Sequence, residues 1–274
     1  MPLDPAALGA LQVLRRSLGP NTPMVIVGAT VPLVLLDFRH GRSGRVTHDV
    51  DTVVQLTTWD DFAALKRRLI EAGFREGREP HRLYFGEAEL DIIPYSPTLA
   101  PEGRLEWPNE GRVMSTLGLP EAFACAKPER LGDDLVLPMV SVAGCTLLKL
   151  IAYRDRPEER ARDLLDVIYC FERYAEEAGG SRHDVAGVEV DHQVVSYEEA
   201  GAYLLGSEVA ALAHPGTLAA IGDVLPRLMD EDGRPIRQIL TEEGRWGDDH
   251  RRRTFLCRLF HVFGAGLDGS GRPA

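Results

Sequence analysis

Val25–Val54 reads VIVGATVPLVLLDFRHGRSGRVTHDVDTVV. An apolar strand stops at Gly28, a short helix follows, and the basic, glycine-containing loop Arg39–Arg45 leads into a second strand carrying Asp49 and Asp51. Side chains alternate along a strand, so Asp49 and Asp51 project from one face while His48, Val50 and Thr52 take the other. Two carboxylates held side by side repel unless a cation lies between them. Mg²⁺ suits such a pair because it takes hard oxygen ligands and shares them with phosphates. The glycine turn opens a helix whose free N–H groups and dipole suit an anion. An anion site beside a divalent-metal site points to a nucleoside triphosphate.

Working outward, Met24–Val27 is the first strand, with Pro23 before it and an amphipathic helix over residues 5–18 upstream. Gly28 supplies a conformation or a close approach that a Cβ would block. Pro32 falls in the first turn of the next segment, where helices accept it. Thr58-Trp59-Asp60-Asp61 resembles a capping box, and its helix is expected to run to about Glu71 and stop at Gly73. Arg82–Phe85 and Ala88–Ile93 then form a hairpin around Gly86-Glu87. Its second strand places Asp91 in an otherwise apolar run. Standing alone, such an acid reads as a strand-edge carboxylate that faces water or caps a turn. Beside the upstream pair it reads as a third acid delivered from a neighbouring strand, since a lone buried carboxylate is costly.

Residues 94–134 are rich in Pro and Gly, with short strands expected near Val113 and at Leu135–Pro138 and solvated loops at Arg104–Asn109 and Lys127–Asp134. From Ser141 the period becomes helical. VAGCTLLKLIAY carries one lysine, Lys149, and a second helix is expected over Glu158–Ala175 with Pro157 at its start. Arg162, Asp163, Asp166 and Arg173 flank its apolar side and on their own read as salt-bridged surface. Glu177–Gln193 is a polar linker. Ser196–Glu199 is a capping box opening a helix to about Ala213, and helices near 216–229, 233–242 and 248–263 follow. Arg251–Arg253 and Arg258 on the last helix read as a solvated basic face, with a nucleic-acid surface as the alternative. The tail GAGLDGSGRPA is expected to be disordered.

The 274 residues carry a net charge of −11, which argues against a broad non-specific nucleic-acid surface. No apolar run is long enough to span a membrane, and the N-terminus has no signal-peptide pattern. Cys125, Cys145, Cys170 and Cys257 are scattered without a CxxC pair, as expected of reduced thiols in a cytoplasmic protein.

Three acids on two adjacent strands after a glycine turn make two-metal nucleotidyl transfer available: two Mg²⁺ ions would activate an attacking hydroxyl and steady a leaving pyrophosphate. Val27-Gly28-Ala29 through Thr47-His48-Asp49-Val50-Asp51, with Asp91 later, resembles the DNA polymerase β-type nucleotidyltransferase superfamily. That signature is a glycine turn, an acid-x-acid strand and a third strand acid. Leu148-Lys149-Leu150, followed by Arg160-Ala161-Arg162-Asp163-Leu164-Leu165-Asp166, is similar to the AbiEii-type nucleotidyltransferases of type IV toxin–antitoxin systems. There a helix lysine precedes a basic–Asp–Leu–x–Asp helix, and both close over the nucleotide site.

The resemblance spans residues 20–175 or so. It implies an α+β fold: a nucleotidyltransferase-like mixed β-sheet with flanking helices over residues 1–140, then a helical C-terminal subdomain over 141–274. Residues 141–175 would complete the active site and 194–263 would form a helical bundle. It implies metal binding by Asp49, Asp51 and Asp91, catalytic roles for these and for Lys149, Asp163 and Asp166, and nucleotide binding by Gly28, Ala29, Thr30, Lys149 and Arg162. The expected activity is Mg²⁺-dependent transfer of a nucleoside monophosphate from NTP to an RNA acceptor such as a tRNA 3′ end. The expected setting is a toxin with a cognate antitoxin partner. A small-molecule acceptor, as in antibiotic modification, and a non-catalytic nucleotide-binding module are the competing readings. The chain departs from the superfamily at Ala29, where Ser or Gly is usual, so that only Thr30 is left to offer a hydroxyl to phosphate.

Overall fold

Asp4 opens the first helix, α1 (Pro5–Ser17). Its carboxylate accepts the Ala7 N–H at 2.8 Å, and Pro5 sits in the first turn, where its missing N–H costs nothing. The computed structural model of the chain describes residues 3–42, 49–108, 111–177, 188–190, 193–244 and 249–269. Residues 43–48 of the basic loop and motif, 109 in the Pro/Gly-rich stretch, 178–187 and 191–192 of the linker, 248 at the start of the last expected helix, and 270–274 of the tail lie outside the described residues. The chain divides into two units, Met1–Ser141 and Val142–Ala274.

In the first unit α1 is followed by β1 (Met24–Val27) and α2 (Thr30–Pro32), which widens into a π-type turn over Leu33–Phe38. Then come β2 (Asp49–Gln55), α3 (Trp59–Glu71), β3 (Arg75–Glu76), β4 (Arg82–Phe85) and β5 (Ala88–Tyr95). The unit ends with β6 (Arg104–Glu106), β7 (Val113–Ser115), α4 (Leu119–Cys125), β8 (Lys127–Arg130) and β9 (Val136–Met139). Seven strands form one sheet in the order β3-β4-β5-β2-β1-β9-β8. The sheet is mixed: β1 runs antiparallel to β2, whereas β2 runs parallel to β5. All four residues of β1 are buried, as expected for a strand covered on both faces. Along β5 burial alternates strictly, with Ala88, Leu90, Ile92 and Pro94 inside. The α3 cap forms as read: Thr58 accepts the Asp61 N–H and the Asp61 carboxylate accepts the Thr58 N–H.

Two expected loops are strands. Lys127–Arg130 pairs antiparallel with β9 at the sheet edge, where lysine and proline are tolerated because one side needs no ladder partner. Arg104–Glu106 pairs with β7 in a separate two-stranded ladder. Their polar composition hid both, since an edge or a small ribbon buries little apolar surface.

The second unit comprises α5 (Val142–Asp155), α6 (Ala161–Glu177), the short ladder of β10 (Glu189–Val190) and β11 (Gln193–Val194), and then α7 (Tyr197–Leu212), α8 (Pro215–Leu228), α9 (Arg234–Glu242) and α10 (His250–Asp268). The expected α+β architecture, a mixed sheet with flanking helices followed along the chain by helices, is therefore present. The second long helix starts at Ala161 rather than Glu158, because Glu159 and Arg160 bond back to the Arg156 carbonyl in a turn. The tail expectation fails for residues 264–268, which continue α10. The reason is packing. A Cβ at Gly266 would lie 2.2 Å from the Tyr203 carbonyl oxygen on α7, and one at Gly206 would lie 2.2 Å from that of Phe263 on α10. Glycine lets these two backbones touch, and the contact offsets its poor helix propensity.

Three of the α10 arginines are paired. Arg252 binds Glu243 and Glu172, Arg253 reaches Asp232, and Arg258 reaches Glu199. All four cysteines are free thiols. Among the described residues no helix is long and apolar enough to cross a membrane.

Candidate functional site

Gly28 ends β1 at a φ of 73°, a region that a residue with a side chain rarely occupies. A second constraint is independent of the first: a Cβ there would sit 1.8 Å from Oδ2 of Asp51. The Asp51 carboxylate thus lies directly against the turn. Val31 closes the turn by donating its N–H to the Gly28 carbonyl at 3.1 Å. Thr30 is fully buried, and its hydroxyl donates a long bond, 3.4 Å, to the main-chain carbonyl of Asp49. That bond ties the turn to β2.

Strand register gathers the acids. In the parallel β2–β5 pairing Asp49 lies opposite Glu89, and Asp51 lies opposite Asp91. Alternation then sets all four carboxyl groups on one face of the sheet. Asp91 is no strand-edge residue; β5 is flanked by β2 and β4. On the β4 side its register partner is Arg82. The guanidinium grips Asp91 with a two-bond fork, Nε to Oδ1 and Nη2 to Oδ2, both 2.9 Å, and Nη2 also lies 2.7 Å from Glu89 Oε1. The bond to Asp91 holds Arg82 still more firmly protonated. Burial raises the Glu89 carboxyl above its ordinary value, and the Asp49 carboxylate adds to the rise against the pull of Arg82.

His81 approaches the same acid, with Nε2 at 3.7 Å from Asp91 Oδ2. Burial lowers its pKa despite that neighbour, and its Nδ1 is buried without a hydrogen-bond partner. The ring packs on Trp107 at 5.4 Å between centroids. Trp107 in turn forms part of the wall of a cavity of about 600 Å³ with Trp59, Leu99, Arg104, Glu106 and Val113.

Hard oxygen donors on neighbouring strands, with mutual repulsion felt at Glu89, are chemically suited to a divalent cation. Among the described residues, however, no three His, Cys, Asp or Glu side chains converge as a metal cluster. The geometry explains this: Asp91 is turned to Arg82, and Asp51 leans on Gly28.

In the second unit the sequence-selected residues form a different group. The spacing of Asp163 and Asp166 puts them on one face of α6. Lys149 on α5 donates to Asp163 Oδ1 at 2.7 Å and to Asp166 Oδ2 at 2.8 Å. All three are largely buried. Burial alone would favour a neutral lysine, but the two carboxylates outweigh it and raise the Lys149 pKa. The expectation of a salt-bridged surface is overturned for Asp163 and Asp166, which lie inside at 6% and 8% exposure. Arg162 does not join them. Its side chain is exposed and bonds Glu242 at 3.0 Å. The neighbouring Cys145 and Cys170 thiols are pushed up by burial, the latter to about 12.

Arg82, Glu89 and His81 escaped the sequence reading. For Glu89 a signal was present: Glu89-Leu90-Asp91 repeats the acid-x-acid spacing of Asp49-Val50-Asp51. Arg82 could be found only by working through the hairpin register to its opposite residue.

No family model and no curated protein matches the chain. Among solved structures it is similar to the solution structure of the antibiotic-resistance factor ANT(2'')-Ia, at 14% identity and a TM-score of 0.34, over 63% of this chain and 85% of that one. Function therefore rests on the chemistry of the residues themselves.

Proposed function

We propose that the chain is a Mg²⁺-dependent nucleotidyltransferase that moves a nucleoside monophosphate from an NTP to an acceptor hydroxyl. The observation that carries this reading is the glycine turn packed against Asp51, with Asp49, Glu89 and Asp91 on the same sheet face. The turn offers main-chain N–H groups to the triphosphate. Asp49, Asp51 and Asp91 would hold Mg²⁺, which supplies activation of the attacking hydroxyl and charge neutralisation of the pyrophosphate. The protein's share is then positioning, because phosphoryl-type transition states need alignment and charge more than covalent help. Lys149, Arg162, Asp163 and Asp166 enter as active-site residues on the sequence resemblance alone.

The AbiEii-type resemblance favours an RNA acceptor such as a tRNA 3′ end, and with it a toxin role and a protein antitoxin. A second reading, a small-molecule acceptor, has its own support. The net charge is −11, and three of the α10 arginines, Arg252, Arg253 and Arg258, are bound to Glu243, Glu172, Asp232 and Glu199. One experiment tests both. The protein is incubated with each of the four α-³²P-labelled NTPs, Mg²⁺, and either total tRNA or a panel of aminoglycosides. Label in tRNA supports the first reading and label in a small acceptor the second. No transfer to either with any NTP overturns the enzyme.

A further inference from the structure

On the proposed reading, Asp91 belongs to the metal, yet in the structure it belongs to Arg82. We infer that Arg82 is a positioning residue, a resident counter-ion that holds the third acid until a divalent cation displaces it, with Glu89 as the anchor that keeps Arg82 in place after the exchange. This rests on the nucleotidyltransferase reading and adds to it a competitor for the metal.

The geometry separates two kinds of contact. Asp91 uses both carboxylate oxygens on Arg82, so neither is left undivided for a cation. Glu89 is held by one oxygen, at 2.7 Å from the same Nη2 that serves Asp91. One guanidinium therefore faces two carboxylates and leaves one negative charge in excess within the trio. Release of Asp91 does not strand Arg82 as an unpaired, part-buried cation, because Glu89 remains. That second partner lowers the cost of the exchange, since a charge without a partner is expensive to bury. The stem of Arg82 is held as well: its carbonyl accepts the Gly77 N–H at 2.8 Å, and a Cβ at Gly77 would lie 2.7 Å from Arg82 Cγ. Asp91 is the register partner of Asp51 across β2 and β5, so a cation bound at Asp51 meets the released carboxylate on the adjacent strand.

The probe is Mn²⁺, titrated into full-length protein and followed by the loss of its free electron paramagnetic resonance signal. Removing a charged, hydrogen-bonded competitor frees Asp91, so Arg82→Gln should bind Mn²⁺ about tenfold more tightly than wild type. Arg82→Lys keeps the charge but not the fork, and should gain about threefold. The gain should vanish in Arg82→Gln/Asp91→Asn. Glu89→Gln should weaken Mn²⁺ binding, because Arg82 then has only Asp91. A gain in affinity is not something misfolding produces, and Arg82→Lys preserves the readout if the Gln variant is unstable. Wild type that binds Mn²⁺ with Arg82→Gln or Arg82→Lys no tighter overturns the counter-ion role and leaves the metal reading standing. Wild type and both Arg82 variants all failing to bind Mn²⁺ at millimolar concentration overturns the metal reading and this inference with it.

Discussion

Position 28 and Asp51 exclude every residue but glycine between them: a Cβ on residue 28 would fall 1.8 Å from Oδ2 of Asp51, and the backbone there has a φ of 73°. The glycine turn and the acid strand are therefore packed as one unit.

Gly28→Ala tests that unit. The positive φ alone costs roughly 1–2 kcal/mol for a residue with a Cβ, and the clash pushes Asp51 aside. We expect a lower Tm together with loss of nucleotidyl transfer. An alanine variant with wild-type Tm and transfer would show that the turn and Asp51 are not coupled.

Asp49→Asn and Asp51→Asn remove charge from the proposed metal site while keeping size. Charge stabilisation by the bound ion amounts to several kcal/mol, so transfer should drop about a hundredfold or more. Rates are compared at saturating Mg²⁺ and NTP, alongside circular dichroism to check the fold. Near-normal rates in both variants would remove the acid pair from the chemistry.

Lys149 ties α5 to α6 through Asp163 and Asp166. Lys149→Met leaves two largely buried carboxylates facing one another, and breaking such a pair costs about 3 kcal/mol or more. Urea unfolding should show this, and Asp163→Asn/Asp166→Asn added to Lys149→Met should recover much of it. A change under about 1 kcal/mol would mean that water reaches the cluster freely.

His81 gives a pH signature. Burial lowers its folded pKa below the ordinary 6.5. As pH falls through 6.5 the unfolded chain takes up the proton first, so stability drops until the folded form is protonated too. His81→Gln removes that contribution. The Tm of the variant relative to wild type should therefore shift in the variant's favour between about pH 7.5 and pH 5.5. A Tm difference independent of pH would show that His81 is not held neutral.

Much of the architecture is local and could be read along the chain. The Thr58–Asp61 and Ser196–Glu199 caps form because each joins groups three residues apart. The Arg82–Phe85 and Ala88 hairpin follows from Gly86, and the common face of Asp49 and Asp51 follows from strand alternation. The edge strand Lys127–Arg130 was hidden because edge pairing leaves no apolar signature. The helical reach of α10 through Gly264 and Gly266 was hidden because its support comes from Tyr203, some sixty residues away.

By itself the sequence determined which segments alternate, which are capped and where acids recur at strand spacing, since these depend on neighbours within a few residues. Only the tertiary structure decided that Asp91 meets Arg82, that Glu89 stands opposite Asp49, and that Asp163 and Asp166 are drawn inside onto Lys149. Those pairings depend on strand register and on the burial of charge. Both are settled between segments distant in the chain, where a carboxylate's partner is whichever cation the packing brings within reach.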